Sequence, residues 1–470
     1  MDQASRLFVD LAIVAAFLLG IGLFRGLQTA RRGNFLAAMA LASALGIVIA
    51  RHSFDAWGVL LTALLAGSLI GWAVAMRVHM IQIPAMIALQ NGAGGMAAFL
   101  VAFVELTRGA EPSLSIRESA GTLGLVVGAL TAGGSLVAAG KLAGLARQTP
   151  VHLPGHAWLL RGGAAAALAV GILAALAGPV AAAWLLAVTI LFSLALGIVF
   201  SIRVGGADMP VLISLLNSLS GLAAALCGVV VVNRLLIVCG ATVAASGFIL
   251  TAAMCRAMNR SLWSIGFRIP TAPVPVAAPP ADPLVVAVPA PGTEPPQGES
   301  PLQRAVAAAR EAETIIVIPG YGMALAHAQF ETAQLAERLR SMGKQVRMAV
   351  HPIAGRMPGH MHVLLAEAEV DPDAIFDLDE INADFHETDL AVIVGACDVV
   401  NPAAIDVEGT PIAGMPILAA HDARRVLVCN LDDRPGYSGV DNPLYRDPKT
   451  ILMLGDAKAG LRRLLEALGP

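Results

Sequence analysis

The 470-residue chain is 57% hydrophobic and 14% charged, with a mean hydropathy of +0.72, a composition too apolar and a length too great for one soluble domain. Up to Pro270 it has 16 Lys and Arg against 7 Asp and Glu, net +9, whereas the remainder has 15 against 27, net −12. An acidic second half without a basic stripe argues against nucleic acid as a partner, and five cysteines without CxxC or Cys/His spacing predict neither a disulfide framework nor a metal site.

Nine apolar runs, each near the length of about 20 residues that crosses a bilayer, are predicted to be membrane spans. They lie near 7–24, 34–50, 56–76, 83–106, 120–140, 163–178, 179–200, 209–231 and 235–255. Only AGPVAA separates the sixth from the seventh, so the count is predicted to within one. The first run has no basic leader and no cleavage site, which favours a span over a signal peptide.

Loop charges predict the orientation of these spans. The segments after odd-numbered spans carry eleven positive charges and those on the opposite side carry five. By the positive-inside rule, the N-terminus lies outside and the C-terminal half is cytoplasmic. The abundant Gly and Ala of the spans predict close helix packing in lipid.

The chain is predicted to consist of a membrane domain (1–268), a Pro-rich semi-rigid linker (269–301) and a C-terminal domain (302–470). In the last, short Val/Ile/Leu runs alternate with helices predicted at 324–341, near 362–368 and at 457–468. The strand-like segments are TIIVIP, QVRMAV, AIFDLDEIN, DLAVIVGA, VLVCNL and TILMLGD. This alternation indicates a parallel sheet covered on both faces. The predicted fold class is a polytopic all-α membrane bundle followed by a doubly wound, Rossmann-like α/β domain, which binds ligands at the carboxyl ends of its strands.

A glycine turn follows the first of these strands, in PGYGMALAHAQ. Gly320 can make the tight turn, and Gly322 can let a pyrophosphate approach backbone N–H groups at the start of a helix. The third position of the motif is Leu325, and His351 stands where a ribose-binding carboxylate is expected. From these residues alone, a dinucleotide site and a purely structural turn remain equally supported.

Several longer segments carry a resemblance to a known family. In the C-terminal half they are PGYGMALAHAQ, VRMAVHPIAGRMPGHMHVLLAEAEV, DEINADF, VGACDVVNPAA, PIAGMP, GYSGVDNPLY and LGDAKA, and in the membrane half GGADMPVLISLLNSLSG and MCRAMNRS. In this order they resemble the beta subunit of proton-translocating nicotinamide nucleotide transhydrogenase, over the whole chain apart from the linker.

This resemblance implies an oxidoreductase and proton translocase that is incomplete without an alpha subunit. The C-terminal domain would bind NADP(H) and exchange hydride directly with NAD(H) on the alpha subunit, coupled to proton movement across a bacterial inner membrane. A dimer of alpha–beta units embedded in membrane lipid is also implied.

The resemblance further implies which residues bind NADP(H): a glycine turn, a phosphate-binding loop and the ends of two later strands. These residues are Gly320, Tyr321, Gly322, Met323, Ala324, Arg356, Pro358, Gly359, His360, Asp398, Asn430 and Tyr437. Without the resemblance, the alternative for GRMPGH is an ordinary solvated loop, and Asp398 also suits a strand-ending turn.

One departure from the family pattern concerns the choice of nucleotide. Adjacent Lys and Arg after the fifth strand usually clamp the 2′-phosphate in this family, but here Asn430 and Leu431 are followed by Asp432 and Asp433. Losing two charge-assisted contacts of roughly 1.5 to 3 kcal/mol each would weaken NADP binding by about a hundredfold or more. A nearby arginine, 434, 424 or 425, is a possible substitute. The alternatives are a divergent NAD(H)-binding paralogue and a nucleotide-gated membrane transporter.

Polar residues inside spans are costly and are therefore functional candidates. The resemblance relates Asn91, Asn217, Asp208 and Ser214 to the proton path. Because an amide cannot take up a proton as an imidazole can, Asn91 could only orient water, and the protonating group must lie elsewhere. Helix–helix hydrogen bonding is the alternative role of Asn91, and helix capping that of Asp208.

Overall fold

A computed structural model describes most of the chain. The described residues are 3–23, 29–51, 56–78, 82–108, 115–146, 151, 153–205, 208–257, 300–357, 359–408, 410, 412–436 and 438–469. They form two compact units, one of Met1–Val204 with Leu212–Thr251 and one of Gly205–Val211 with Ala252–Pro470. The predicted linker lies outside the described residues except at its last two positions, so the domain boundaries stay predictions.

Nine helices occupy the N-terminal part of the described chain. They are α1 (Gln3–Leu23), α2 (Ala30–Arg51), α3 (Trp57–Arg77), α4 (Ile83–Arg108), α5 (Ile116–Leu142), α6 (His156–Leu176), α7 (Pro179–Ile202), α8 (Met209–Val230) and α9 (Arg234–Ala257). Eight of them are long and apolar enough to cross a membrane, whereas the apolar stretch of α1 is the shorter Leu7–Leu23. The predicted start of the sixth span at 163 is wrong, because α6 begins at His156 after a left-handed Gly155 and includes HAWLLRG.

Helices α5 and α7 are in backbone contact. A Cβ on Gly197 of α7 would lie 2.7 Å from the backbone N of Gly134 on α5, and one on Gly133 would lie 3.0 Å from the carbonyl carbon of Leu194. The first distance is too short for a real Cβ atom, and a Cβ on Gly133 would also overlap the Leu194 carbonyl oxygen, so each position requires glycine. This contact agrees with the close helix packing expected from the Gly and Ala content.

The C-terminal unit is built on six parallel strands. They are β1 (Thr314–Pro319), β2 (Gln345–Val350), β3 (Ile375–Asp377), β4 (Leu390–Val394), β5 (Arg425–Asn430) and β6 (Thr450–Leu454). Their order in the sheet is β3-β2-β1-β4-β5-β6, and every pairing is parallel. The chain reverses its direction of winding between β1 and β4, and doubly wound sheets bind ligands outside the strand ends at this point. The predicted sheet is therefore confirmed.

Seven α-helices accompany this sheet. They are α10 (Pro301–Glu311), α11 (Tyr321–Leu325), α12 (Gln329–Ser341), α13 (His360–Glu367), α14 (Leu378–Ile381), α15 (Ala403–Asp406) and α16 (Ala457–Leu468). The single helix predicted at 324–341 is wrong, because His327 has a positive φ of 50° and separates α11 from α12. The AIFDLDEIN segment is a three-residue strand followed by α14, which Asp377 and Glu380 start with reciprocal side-chain caps.

Candidate functional site

Two glycine turns meet where the winding reverses. The turn after β1 contains Gly320 and Gly322, and the turn after β4 contains Gly395. A Cβ on Gly320 would lie 2.5 Å from Ala396 Cα, and one on Gly322 would lie 2.7 Å from Gly395 Cα. Gly395 itself has a left-handed φ of 68°, and a Cβ there would lie 2.6 Å from Gly322 Cα. The missing side chains thus allow two backbone turns to touch.

Backbone hydrogen bonds close the same contact. The N–H of Gly320 donates to Val394 O at 2.8 Å, and the N–H of Gly322 donates to Gly395 O at 2.7 Å. The N–H of Met323 donates to Gly320 O at 3.1 Å, and the side chains of Met323 and Ala324 are buried. The N–H of Gly322 is therefore bonded to the turn after β4, and the predicted approach of a pyrophosphate to Gly322 stays a prediction.

A cationic loop lies beside Tyr321. The Arg356 guanidinium carbon is 4.5 Å from the centre of the Tyr321 ring, and the His360 ring is 6.2 Å from it. Loop glycines make this possible: Gly355 has φ 104° with His360 packed against it, and Gly359 has φ 72° before α13 begins. A planar guanidinium stacked on an aromatic ring is suited to a phosphate, so Arg356 is the side chain that fits an anionic ligand here.

Two histidines flank this loop, and both are almost fully buried. Burial lowers the pKa of His360 to about 4, with a further contribution from the Arg356 charge. Its Nδ1 accepts the Arg356 backbone N–H at 3.1 Å, and its Nε2 is buried with no hydrogen-bond partner among the described residues. Burial likewise lowers the pKa of His351 to about 4, although its hydrogen bond to Pro416 O opposes the shift. Both rings are therefore neutral near pH 7, and the His360 Nε2–H can serve a ligand or a water.

Asp398 follows β4, and its carboxylate connects the turn after β4 with the segment after β5. Its carboxylate accepts hydrogen bonds from the backbone N–H of Ser438 at 3.0 Å and from the Ser438 hydroxyl at 2.5 Å. A Cβ on Gly436 would lie 2.8 Å from both carboxylate oxygens, so that position also depends on glycine. Asp398 therefore positions the segment after β5, which agrees with the strand-ending alternative and leaves its place beside a nicotinamide a prediction.

Asn430, at the end of β5, points inward. Its amide donates to Ala396 O at 2.9 Å and to the Tyr445 hydroxyl at 2.7 Å, and that hydroxyl also contacts Ala396 O at 3.1 Å. Its own Oδ1 is buried and has no partner among the described residues. Burial is the main effect that raises the pKa of Tyr445, so its phenol stays protonated. Asn430 therefore supports the turn after β4, and its predicted contact with a nucleotide stays a prediction.

Replacing Tyr445 with Phe tests this interpretation. The substitution removes one phenol and leaves the Asn430 amide with one partner fewer, so we expect the free energy of unfolding of the C-terminal unit to fall by about 1 to 3 kcal/mol. Urea unfolding followed by circular dichroism measures it. Tyr437, which precedes Tyr445 in the segment after β5, lies outside the described residues. An unchanged unfolding midpoint would contradict the inward role of Asn430.

The structure separates the three arginines considered as substitutes for the missing Lys and Arg. Arg424 contacts Asp389 at 2.8 Å and Arg425 contacts Glu311 at 2.7 Å. Both stand at the amino end of β5, about 17 Å from its carboxyl end at the usual rise per residue. Arg434 lies beyond that carboxyl end with its side chain 84% exposed and 3.9 Å from Asp432. Of the three, Arg434 is at the correct end of the sheet.

The predicted membrane residues fall into one cluster and one outlier. Asn91 of α4 is buried and donates to Ile213 O on α8 at a long 3.5 Å. The next residue, Ser214, accepts from the Thr251 hydroxyl of α9 at 2.9 Å and donates to Gly247 O at 3.3 Å. Asn217 is half-buried one turn further along α8. Asp208 precedes α8 in the other compact unit, where its N–H donates to Gly205 O.

Some functional candidates were absent from the sequence prediction. Four residues contact predicted site residues that lie 15 to 73 positions away in the sequence: Thr251, Gly395, Ser438 and Tyr445. A glycine after β4 that mirrors the one after β1 is a signal that could have indicated Gly395. Of the predicted residues, Pro358 and Tyr437 lie outside the described residues.

Comparisons with known proteins agree with this arrangement. The family model for the NAD(P) transhydrogenase beta subunit matches residues 7–467. Two curated sequences named NAD(P) transhydrogenase subunit beta, one from Rhodospirillum rubrum and one from a defined strain of that species, are each 38% identical over 472 residues, covering 97% of this chain and 98% of theirs. A match over nearly the whole length includes both the apolar helices and the six-stranded sheet. The chain belongs to the NAD(P) transhydrogenase beta-subunit family.

Proposed function

We propose that this chain binds NADP(H) in its C-terminal domain and exchanges hydride with NAD(H) held by an alpha subunit, coupled to proton translocation across the membrane. Membership of a beta-subunit family implies an alpha-subunit partner and a multi-pass membrane protein. A bacterial inner-membrane location, a cytoplasmic C-terminal domain and a dimer of alpha–beta units form part of the same proposal.

The observation that carries the proposal is the edge of the parallel sheet at Gly320, Gly322 and Gly395. Open α/β sheets bind their ligands outside the strand ends where the winding reverses. At this edge the Arg356 guanidinium on Tyr321 offers a phosphate contact, and His360 holds the backbone of Arg356. The Gly322 N–H already donates to Gly395 O, so the Arg356 side of the site is the part that fits a phosphate.

In this proposal the nucleotides supply the hydride, and the chain binds and orients one of them. A hydride leaving the reduced nucleotide on one subunit reduces the oxidised nucleotide on the other, so no further oxidant is required. The described chain contains one such strand-end site, which agrees with an enzyme that is incomplete without its alpha subunit. We assign Asp398 to positioning the segment after β5 against that site.

A second candidate function is binding of NAD(H) by the same domain. It is favoured by the residues after β5, because Leu431 is 75% exposed and Asp432 and Asp433 bring two carboxylates where a 2′-phosphate would need cations. The counterargument is Arg434, whose exposed guanidinium lies on the same segment. With NAD on both sides, hydride transfer would interconvert identical pools and could not be driven by a proton gradient.

Titration of the detergent-solubilised full-length chain with NADPH and with NADH, measured by calorimetry, tests the proposal. We expect NADPH to bind more tightly, and Arg434→Ala to weaken NADPH about tenfold or more while leaving NADH unchanged, since one charge-assisted contact of about 1.5 to 3 kcal/mol is lost. Arg424→Ala is the matched control, because it removes an arginine from the opposite end of the same strand.

The other outcomes discriminate between the candidates. Tighter binding of NADH, with no effect of Arg434→Ala, would support the NAD(H)-binding paralogue. Binding of NADPH without hydride exchange in the complex with the alpha subunit would support a nucleotide-gated transporter. Absence of binding of either nucleotide contradicts both the enzyme and the paralogue.

A further inference from the structure

Lys141, in the last turn of α5, is a buried cation held by carbonyl groups. The residue is 3% exposed to solvent. Its Nζ donates to Ile202 O at 2.7 Å, to Val204 O at 2.7 Å and to Ser201 O at 3.4 Å. These carbonyls end α7, where unpaired acceptors and the helix dipole favour a positive charge. Among the described residues no carboxylate forms an ion pair with it.

The residue type at this position differs from every other cation in the membrane half. Up to Pro270 the chain has sixteen basic residues, of which fifteen are arginine and one is Lys141. A guanidinium is always charged in proteins, whereas a lysine amine can lose its proton when it is buried. Arginine could also supply a charge that caps α7, but only lysine gives this position the ability to release a proton.

Two unpartnered hydroxyls lie on the helices around Lys141 and Asn91. Ser201 and Ser135 are fully buried, and neither hydroxyl has a hydrogen-bond partner among the described residues. A Cβ on Gly134 would lie 2.8 Å from the Ser201 hydroxyl, and a Cβ on Gly92 would lie 3.0 Å from Ser135 Cβ. Ser201, whose carbonyl accepts from Lys141, therefore packs against the residue before Ser135, and Ser135 packs against the residue after Asn91. Buried polar atoms without a protein partner are the usual sites of ordered internal water.

We propose that Lys141 is the proton-carrying and positioning residue of the membrane domain, joined to Asn91 through water held by Ser135 and Ser201. This inference rests on the proposed proton translocation and supplies the titratable group that Asn91 cannot be. In the charged state three ammonium hydrogens hold the end of α7. When one proton passes to the adjacent water, the neutral amine has two hydrogens left for three carbonyls, and the segment at 201–204 is held less firmly.

At this end of α5, the charged and titratable groups on the described residues of α6 and α7 are basic, and Asp208 precedes α8. On α7 the C-cap residue Arg203 is buried, and the packed helix α6 brings His156 and Arg161 in its first turns. Helix α8, which contacts α5 through Leu216 and Leu226, has no charged residue between 209 and 230. Helices α6, α7 and α8 contain no carboxylate that could form an ion pair with Lys141.

The test uses the full-length chain with its alpha subunit, reconstituted into lipid vesicles, with NADPH and NAD as substrates and a pH-sensitive dye as probe. Lys141→Arg keeps the charge and the hydrogen-bond donors but not the ability to deprotonate. We expect it to slow nucleotide-driven proton movement about tenfold or more, and to remove the decline of the hydride-transfer rate at alkaline pH. Lys141→Met should abolish proton movement, and Arg108→Met, which removes an exposed cation at the end of α4, should not.

A second variant covers the case in which Lys141 substitutions prevent assembly. Ser135→Ala with Ser201→Ala removes two hydroxyls that have no protein partner, so the thermal stability of the complex should be unchanged or higher, while proton movement falls. If Lys141→Arg keeps the wild-type rate and pH profile, or if the double serine variant does, the inference is overturned. If the wild-type complex moves no protons at all, the proposed function itself has failed.

Discussion

Gly395→Ala is expected to unfold the C-terminal unit or to destabilise it by more than about 4 kcal/mol, in the range reserved for severe steric conflicts. The added methyl group would fall on the backbone N of Met323 and lie 2.6 Å from Gly322 Cα. Backbone atoms of a neighbouring turn cannot move aside as a side chain can. The left-handed φ of 68° adds a conformational penalty of about 1 to 2 kcal/mol. Urea unfolding of residues 300–470, which include every strand of the sheet, measures the loss.

Gly439→Ala is the matched control for this experiment. Gly439 has nearly the same φ, 71°, but a Cβ there meets nothing within 4 Å among the described residues. It should therefore lose about 1 to 2 kcal/mol, from backbone strain alone. Equal effects of the two substitutions would show that the contact between the turns after β1 and β4 contributes nothing.

The stability of the same domain is expected to fall as the pH is lowered from about 6.5 to about 4. His351 and His360 have pKa values of about 4 in the folded state, below the ordinary value of 6.5. In this window the unfolded chain takes up protons that the folded chain does not, so the stabilisation is complete above 6.5 and is lost as the pH falls through the folded pKa. Each ring contributes on the order of 3 kcal/mol over the full window.

His360→Asn provides the test of that pH dependence. The Asn amide oxygen can accept the Arg356 backbone N–H as Nδ1 does, but the side chain does not titrate. Urea midpoints measured between pH 4 and pH 7 should then show about half the wild-type slope. His386→Asn, at a side chain that is 67% exposed, should leave the slope unchanged. If the His360→Asn variant keeps the wild-type slope, the His360 ring is exposed to water in the folded protein and does not contribute to the pH dependence.

Periodicity and composition predicted the strands well. The runs at β1, β4, β5 and β6 are rich in Val, Ile and Leu because both faces of a parallel sheet are covered, whereas β2 includes the half-buried Arg347. The wrong elements depended on local detail. Helix α10 was not predicted, although Ser300 and Gln303 form a capping box at its start. The break at His327 could not be predicted, because a three-residue interruption leaves the helical pattern on either side intact.

The site was less predictable than the fold. The turn after β1 was recognised from its glycines, but its partner at Gly395 lies more than 70 residues later, and no short motif records their contact. Asn430 was placed at the nucleotide because of its position after β5, yet its side chain turns toward Tyr445. Side-chain direction depends on packing between distant segments, and single-sequence patterns do not contain it.

The backbone contact between α5 and α7 restricts how the bundle can move. With Gly133 and Gly197 pressed against the neighbouring main chain, neither helix can slide or rotate past the other without a collision. We therefore expect the two helices to move as one unit. Helix α8 meets α5 through the side chains of Leu216 and Leu226, which can change rotamer, so we expect α8 to shift against this pair more easily than α5 and α7 shift against each other.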